Sequence, residues 1–130
     1  MDNSDKKRFP EGIITAVITP FSDGQTDISA FKASILRQID AGIGGIVVLG
    51  TTGEAPTVSK TERERLIDAA LECADGKTFI IAGCGASDTK AALKSAKEAQ
   101  KQGVNGILTV TPYYNKPSQK GLIYHYLSVA

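Results

Sequence analysis

The sequence predicts an α/β fold in which parallel strands alternate with helices. Four apolar runs rich in β-branched residues recur roughly every 30 residues, which is the length of a strand plus a crossover helix. Each run is almost continuously apolar rather than alternating, as is typical of a parallel strand buried on both faces. Apolar residues at helical spacing fill the intervals between the runs. The pattern therefore predicts successive βα units.

The elements follow in order along the chain. The predicted strands cover residues 13–18, 45–49, 78–82 and 106–110. The first helix covers residues 28–41, with Asp27 as its N-cap and Gly42 at its end. Ser59 and Glu62 form a capping box, which predicts the start of the second helix.

The third predicted helix is rich in alanine. It begins at Ser87, carries Asp88 in its first turn and closes at Gly103. Small side chains allow close approach, so we expect this helix to pack tightly on the sheet. A fourth helical pattern begins near Gln119 and is still running at Ala130, so we expect this helix to be incomplete.

Two architectures accommodate these βα units: an open flavodoxin-like sheet and half of a (β/α)8 barrel. In both, ligands bind beyond the carboxyl ends of the strands. Those ends are polar or rich in glycine here, namely Thr19 and Pro20, residues 50–54, residues 83–86 and residues 111–115. We therefore look for chemistry in these loops.

Composition excludes several classes of protein. The chain has 130 residues, 42% of them hydrophobic, and a formal net charge of +1. This balance argues against a disordered tail or an electrostatic nucleic-acid-binding protein, and no apolar run approaches the roughly 20 residues of a membrane helix. We therefore expect neither a nucleic acid nor a membrane as partner. Residues 1–10 lack the apolar core of a secretory signal, and we expect them to be a mobile arm before a folded region, part of a domain, at residues 11–130.

Cysteine and histidine are scarce. Cys73 and Cys84 lack the CxxC spacing of metal or redox sites, so we expect reduced, partly buried thiols and a cytoplasmic location. His125 is the single histidine, which excludes a multi-histidine metal site. We place His125 at a helix surface or interface, without a catalytic role. We expect no metal and no cofactor.

The segment GTTGE, residues 50–54, directly follows the second predicted strand. The hydroxyls of Thr51 and Thr52, with backbone amides between flexible glycines, can present donors together to a carboxylate or phosphate. Alternatively, the threonines only satisfy the backbone of the turn. The GxxxxGK[ST] spacing of a P-loop is absent and no GxGxxG follows a strand, so a nucleotide is not indicated.

The segment TPYYNKPSQ, residues 111–119, follows the fourth predicted strand. The phenols of Tyr113 and Tyr114 can supply a proton to a reacting oxygen, and the flanking prolines stiffen the backbone. Alternatively, the pair serves packing or a subunit contact. A lysine nucleophile must be desolvated, and none of the lysines falls within a predicted apolar strand. The chain therefore offers no amine suited to imine formation.

Four segments resemble one enzyme family. They are residues 14–21 (ITAVITPF), residues 50–54 (GTTGE), residues 81–86 (IAGCGA) and, above all, residues 111–119 (TPYYNKPSQ). They are similar to the dihydrodipicolinate synthases, within the class I aldolase family that includes N-acetylneuraminate lyase. The resemblance covers nearly the whole chain from Glu11 onward. It implies that the fold is the N-terminal half of a TIM (β/α)8 barrel, with four βα units.

The resemblance also implies a chemistry. Members of the family form an imine, or Schiff base, between a barrel lysine and pyruvate, and the synthases condense it with aspartate semialdehyde in lysine biosynthesis through diaminopimelate. By position, Thr51 and Thr52 match the residues that bind the pyruvate carboxylate, and Thr51 also matches a member of the catalytic proton relay. Tyr114 matches the relay tyrosine that reaches the neighbouring subunit's site. Tyr113 matches a tyrosine at the same interface.

The family's imine-forming lysine, second relay tyrosine and substrate-binding arginine correspond to positions after Ala130. The resemblance therefore implies an N-terminal fragment of such a lyase that is inactive alone. Because a half-barrel leaves strand edges unpaired, we expect self-association or pairing with a complementary half-barrel. Two alternatives are a noncatalytic α/β module that binds a small carboxylate and another pyruvate aldolase of the same family.

Overall fold

Parallel strands and helices alternate in the computed structural model, which describes residues 9–130. In chain order the strands are β1 (Ile14–Ala16), β2 (Phe21–Ser22), β3 (Gln25–Thr26), β4 (Gly45–Val48), β5 (Phe79–Gly83) and β6 (Gly106–Leu108), and the helices are α1 (Ile28–Asp40), α2 (Lys60–Ala74), α3 (Thr89–Gln102) and α4 (Gln119–Val129). A 3₁₀ turn, Ala55–Thr57, lies between β4 and α2. The mobile arm expected at residues 1–10 stays a prediction, because residues 1–8 lie outside the described residues.

The order of the strands distinguishes the two architectures. Parallel pairing joins β1 to β4, β4 to β5 and β5 to β6, so the sheet order is β1-β4-β5-β6. A flavodoxin-like sheet places its first strand between later strands. Here each strand is added on the same side of the one before it, as in a (β/α)8 barrel. The predicted partial barrel is therefore confirmed and the flavodoxin-like alternative is wrong.

The helices form one layer on the sheet. Neighbours in the chain pack together, with α1 on α2, α2 on α3 and α3 on α4. The core between helices and sheet is built from apolar side chains that are less than 2% exposed, the largest being Phe31, Ile35, Ile46, Leu66, Ile67 and Ile80. The alanines Ala92, Ala96 and Ala99 of α3 are also buried, which confirms the predicted close packing of this helix.

Capping side chains fix where the helices begin. The Asp27 carboxylate accepts a hydrogen bond from the Ala30 amide at 2.9 Å, as predicted. Ser59 and Glu62 form the predicted capping box at the start of α2. Ser118 caps α4, whose predicted start near Gln119 is confirmed.

The predicted start of α3 was wrong. Asp88 is not in the first turn but is the N-cap, and its carboxylate accepts a hydrogen bond from the Ala91 amide at 2.8 Å. A short carboxylate binds a free amide of the first turn best from the cap position, so the helix begins at Thr89 rather than at Ser87. The predicted end is confirmed, because Gly103 closes the helix with a φ of 94°.

The outer strands are less buried than predicted. All residues of β4 are buried, as a strand covered on both faces requires, but β1 and β6 expose large apolar side chains. Leu108 in β6, for example, is 51% exposed. Each of these strands has one neighbour in the sheet, whereas β4 lies between two strands. Apolar sequence therefore marks the strand correctly but not the burial of both its faces.

A short hairpin, β2–β3, precedes α1 and was not predicted. Its two-residue turn consists of Asp23 and Gly24, whose φ angles are 51° and 77°. Positive φ at both positions is characteristic of the type I′ turn that joins two-residue hairpins. The Asp-Gly pair was therefore a usable sequence signal. The 3₁₀ turn after β4 was also not predicted.

His125 is buried rather than on a helix surface, which corrects the prediction. It is 1% exposed, and its Nδ1 lies 2.8 Å from the Thr89 hydroxyl. Its ring also contacts Tyr126 edge-on, with centroids 5.3 Å apart. His125 is thus a contact between α4 and the start of α3, which fixes the two helices beside the loop after β6.

Candidate functional site

A cavity of about 360 Å³ opens at the carboxyl end of the sheet. The turn after β4 contributes Gly50 and Thr51 to its lining, and the end of β5 and the loop after it contribute Gly83 and Gly85. Tyr113, in the loop after β6, also lines the cavity. This is the end at which a (β/α)8 barrel binds its ligands.

The turn after β4 contains two overlapping backbone hydrogen bonds. The Gly53 amide donates to the Gly50 carbonyl at 3.1 Å, and the Glu54 amide donates to the Thr51 carbonyl at 3.0 Å. Within residues 9–130, the amides and hydroxyls of Thr51 and Thr52 have no hydrogen-bond partner, and both residues are exposed. The threonine hydroxyls therefore do not serve the backbone of the turn. They are available to a ligand that accepts hydrogen bonds.

Close backbone contact brings β5 against this turn. A Cβ atom on Gly83 would lie 2.1 Å from the Leu49 carbonyl oxygen and 2.9 Å from the Gly50 nitrogen, so only glycine fits. Leu49 itself adopts a φ of 57°, which residues with a side chain rarely do. The turn is thus held in a shape that its own residues do not favour.

The loop after β6 gives the two neighbouring tyrosines different surroundings. Tyr113 lines the cavity, whereas Tyr114 does not and is 92% exposed. The Asn115 amide donates to the Tyr113 carbonyl at 2.8 Å, so Tyr114 is the middle residue of a three-residue turn, with a φ of 69°. Such a turn is rare and strained for an amino acid with a side chain. Tyr114 in this turn is exposed to solvent.

Contacts with α3 and α4 hold the tyrosine loop. The Asn115 side-chain amide donates to the Ser87 carbonyl at 2.9 Å, just before α3. The hydroxyls of Thr111 and Tyr126 lie 3.0 Å apart, which ties the start of the loop to α4. The loop is therefore fixed at both sides of the tyrosines.

The predicted site residues are brought together only in part. Thr51 and Tyr113 line the same cavity. Thr52 follows Thr51 in the exposed turn but does not line the cavity, and neither does Tyr114. One cavity therefore joins the two predicted motifs, through Gly50, Thr51 and Glu54 of the first and Tyr113 of the second.

Sequence reasoning missed Arg63, because nothing distinguishes it from other charged residues on the polar face of α2. Its Nη2 donates to the Gly83 carbonyl at 2.8 Å and lies 3.3 Å from Cys84 Sγ. Burial raises the pKa of the Cys84 thiol, although Arg63 opposes this effect. Cys84 is buried and Cys73 half-buried, and both are free, as predicted.

The Glu62 carboxylate connects the hairpin to α2. It accepts hydrogen bonds from the Thr26 amide at 3.1 Å, the Ser59 amide at 3.0 Å and the Ser59 hydroxyl at 2.6 Å. The bonds from Ser59, followed by that from Thr26, lower the pKa of the Glu62 carboxyl to about 2. Glu62 is therefore charged at neutral pH.

Lysines lie away from the cavity in the part of the chain that the structure describes: none is on a strand and none lines the cavity. On the helix surfaces, Glu72 raises the pKa of Lys32 and Glu98 raises the pKa of Lys60. Residues 9–130 contain no cluster of three or more His, Cys, Asp and Glu side chains that could hold a metal ion. Among the same residues, no helix has both the length and the apolar character needed to cross a membrane.

The fold and the site define a class of protein: a partial (β/α)8 barrel whose ligand-binding end carries a turn rich in free hydroxyls and a strained tyrosine loop. The sequence matches the Dihydrodipicolinate synthetase family over residues 9–130. The chain belongs to this family, which confirms the resemblance of its motifs.

Individual relatives agree with this assignment. The chain is 50% identical over 115 residues to 4-hydroxy-tetrahydrodipicolinate synthase of Thermotoga neapolitana, an alignment that covers 88% of this chain and 39% of the relative. The structure of dihydrodipicolinate synthase from Thermotoga maritima superposes with a TM-score of 0.89 at 47% identity, covering 91% of this chain and 40% of that one. The chloride-inhibited synthase from Acinetobacter baumannii, complexed with pyruvate, superposes with a TM-score of 0.90 at 39% identity, covering 93% of this chain and 42% of that one. This chain thus spans about 40% of the length of these relatives.

Proposed function

We propose that this chain provides the pyruvate-binding turn of a dihydrodipicolinate synthase-type lyase. The observation that carries the proposal is the turn at Thr51 and Thr52, which leaves two hydroxyls and two backbone amides free beside a cavity. Several free donors on adjacent residues suit a carboxylate, because hydrogen bonds to a charged acceptor are the stronger kind. The relative from Acinetobacter baumannii is complexed with pyruvate, which supports pyruvate as the ligand.

In the proposed reaction, a lysine amine attacks the ketone carbon of pyruvate and water is lost, which forms an imine. Deprotonation of its methyl group gives an enamine that attacks aspartate semialdehyde, in lysine biosynthesis through diaminopimelate. Thr52 and Thr51 bind the carboxylate, and Thr51 shares with Tyr114 a catalytic role in proton transfer. The exposed Tyr114 in its strained turn suits a phenol that enters a neighbouring subunit's site, and Tyr113 is assigned to the same interface.

We infer further that this chain binds pyruvate without forming the imine, and is inactive alone. Imine formation requires a neutral, desolvated amine. The lysines of residues 9–130 lie on helices or in connections, none of them at the cavity. By itself the chain then acts as a carboxylate-binding module that needs no cofactor. The free thiols of Cys73 and Cys84 favour the reducing cytoplasm as its location.

Titration calorimetry tests the binding. Pyruvate should give saturable heat with the wild type, and Thr51→Val should weaken the affinity by about tenfold or more, because a hydrogen bond to a charged group is lost. Thr57→Val is the matched control: Thr57 also lines the cavity, but its hydroxyl already donates to the Glu54 carbonyl at 2.9 Å. Absence of saturable heat, or equal loss in both variants, would contradict the proposal.

Borohydride trapping tests the inactivity. Incubation with pyruvate and borohydride should leave the mass of this chain unchanged, whereas a full-length member of the family should gain a stable adduct under the same conditions. An adduct on any lysine of this chain would show that it forms the imine after all.

We also propose that a second copy of this chain covers the open face of the sheet. Within residues 9–130, β1 and β6 are the sheet's two edges, each with one neighbouring strand. Ile18, just after β1, and Leu108 in β6 expose apolar surface beside those edges. Unpaired edges and apolar surface both favour association. Pairing β1 of one copy with β6 of the other would close the sheet as in a full barrel. A complementary half-barrel on another chain would fill the same place.

A further inference from the structure

Thr19, which follows β1, contacts the turn that carries the free donors. Thr19 is 4% exposed, and its hydroxyl donates to the Gly53 carbonyl at 2.6 Å, across 34 positions of sequence. Gly53 is the residue that follows Thr52. The end of the first strand is therefore bonded directly to the turn after β4.

Gly53 packs closely against the backbone of Leu49, just before the turn. A Cβ atom at this position would lie 3.0 Å from the Leu49 nitrogen and 3.1 Å from the Leu49 Cα, closer than about nine in ten real Cβ contacts. The Gly53 amide is bonded to the Gly50 carbonyl. Thr51 and Thr52 thus lie between two fixed glycines, and the position of Gly53 sets the position of their donors.

The Thr19 hydroxyl bond is more than incidental packing, because the turn is not in a favoured conformation. Leu49 and Glu54, on either side of the turn, have φ angles of 57° and 53°. Such conformations persist only where the surroundings hold them. A buried carbonyl without a donor is costly, so loss of the Thr19 hydroxyl would favour opening of the turn toward water.

We propose that Thr19 is a positioning residue for carboxylate binding, because its hydroxyl fixes the Gly53 carbonyl and thereby the donors of Thr51 and Thr52. The predicted effect on pyruvate affinity rests on the proposed function. Its physical basis, the anchored turn, is independent of any ligand.

Three variants of the whole chain test this. Thr19→Val removes the hydroxyl at nearly constant shape, and Thr19→Ser retains it. Thr78→Val is the matched control, because Thr78 is also buried and donates its hydroxyl to a carbonyl, that of Ile43 at 3.2 Å, at the amino end of β5. It removes the same kind of bond far from the turn.

Amide hydrogen exchange by NMR is the first measurement. In Thr19→Val, exchange of the Gly53 and Glu54 amides should accelerate about tenfold, the effect of one lost hydrogen bond to a buried acceptor. Exchange at Ala41, whose amide closes the far end of α1, should not change. Thr19→Ser and Thr78→Val should retain the turn's protection. Unchanged Gly53 and Glu54 exchange in Thr19→Val, or equal acceleration in Thr78→Val, would overturn the inference.

Pyruvate titration of the same proteins is the second measurement. Thr19→Val should weaken pyruvate affinity, Thr19→Ser should restore it and Thr78→Val should leave it unchanged. If the wild type does not bind pyruvate, the proposed function fails, but the exchange data still decide whether Thr19 anchors the turn. If Thr19→Val does not fold, exchange of the Thr19 hydroxyl proton is measured in the wild type. Slow exchange supports the hydrogen bond to the Gly53 carbonyl, and rapid exchange with water contradicts it.

Discussion

Glu62 makes the stability of the hairpin and α2 depend on pH. The pKa of its carboxyl is about 2 in the folded chain against an ordinary value of 4.5, so folding favours the charged form. Its stabilising effect is complete above about pH 4.5 and is lost as the pH falls toward 2. Urea unfolding over this pH range should show the loss in the wild type. In Glu62→Gln, stability at neutral pH should be lower and the acid dependence weaker.

The control for this prediction is Glu11→Gln. Glu11 is exposed, so its substitution should leave the acid dependence of the wild type in place. An unaltered acid dependence in Glu62→Gln would mean that the three hydrogen bonds to this carboxylate do not couple protonation to folding.

Two residues of the candidate site were predictable because each lies in a recognisable motif. Thr51 and Tyr113 stand in short segments with unusual composition at strand ends, and both line the cavity. Thr19 and Arg63 act through contacts across 34 and 20 positions, so no local pattern reveals their partners. The sequence around Thr19 indicated only that a polar residue ends the first strand.

At the scale of elements, the N-cap of α3 is expected to stabilise the chain. Asp88→Ala removes the acceptor of the Ala91 amide, and the free energy of unfolding should fall by about 1 kcal/mol. Chemical denaturation measures this change. Lys94→Ala, on the exposed side of the same helix, is the control and should have little effect. Equal stability of Asp88→Ala and the wild type would contradict the assigned cap.

Helix boundaries followed closely from the sequence because caps are local. The hydrogen bonds of Asp27 and Ser59 span three positions, so the residues that make them are visible together. Strand burial did not follow, because β1 and β4 are similarly apolar yet only β4 has strands on both sides. Exposure of a strand depends on neighbours that are distant in the chain.

At the scale of the whole molecule, the open sheet predicts self-association. Light scattering coupled to size-exclusion chromatography should give a mass of at least two copies. Leu108→Lys, in β6, should shift the population to monomers, whereas Leu36→Lys, on α1, should not. The two leucines are similarly exposed, 51% and 47%, so the comparison isolates the sheet from the helix surface. A monodisperse wild-type monomer at micromolar concentration would contradict the proposed assembly.

The architecture itself was predictable only in part. Repeating βα units follow from apolar periodicity, but periodicity does not say which strands pair. Apolar periodicity alone therefore does not distinguish a flavodoxin-like sheet from a partial barrel. The observed strand order β1-β4-β5-β6 identifies the partial barrel, because strand order depends on contacts between βα units that are distant in the chain.

The central claim is that the Thr51–Thr52 turn binds the carboxylate of pyruvate. NMR titration of the isotope-labelled chain with pyruvate tests it most directly, since the amides of both threonines are free to donate. The account predicts saturable shifts of these two amides, with smaller changes at the cavity residues Gly50 and Gly83. The absence of saturable shifts at Thr51 and Thr52, or shifts confined to other parts of the chain, would contradict it.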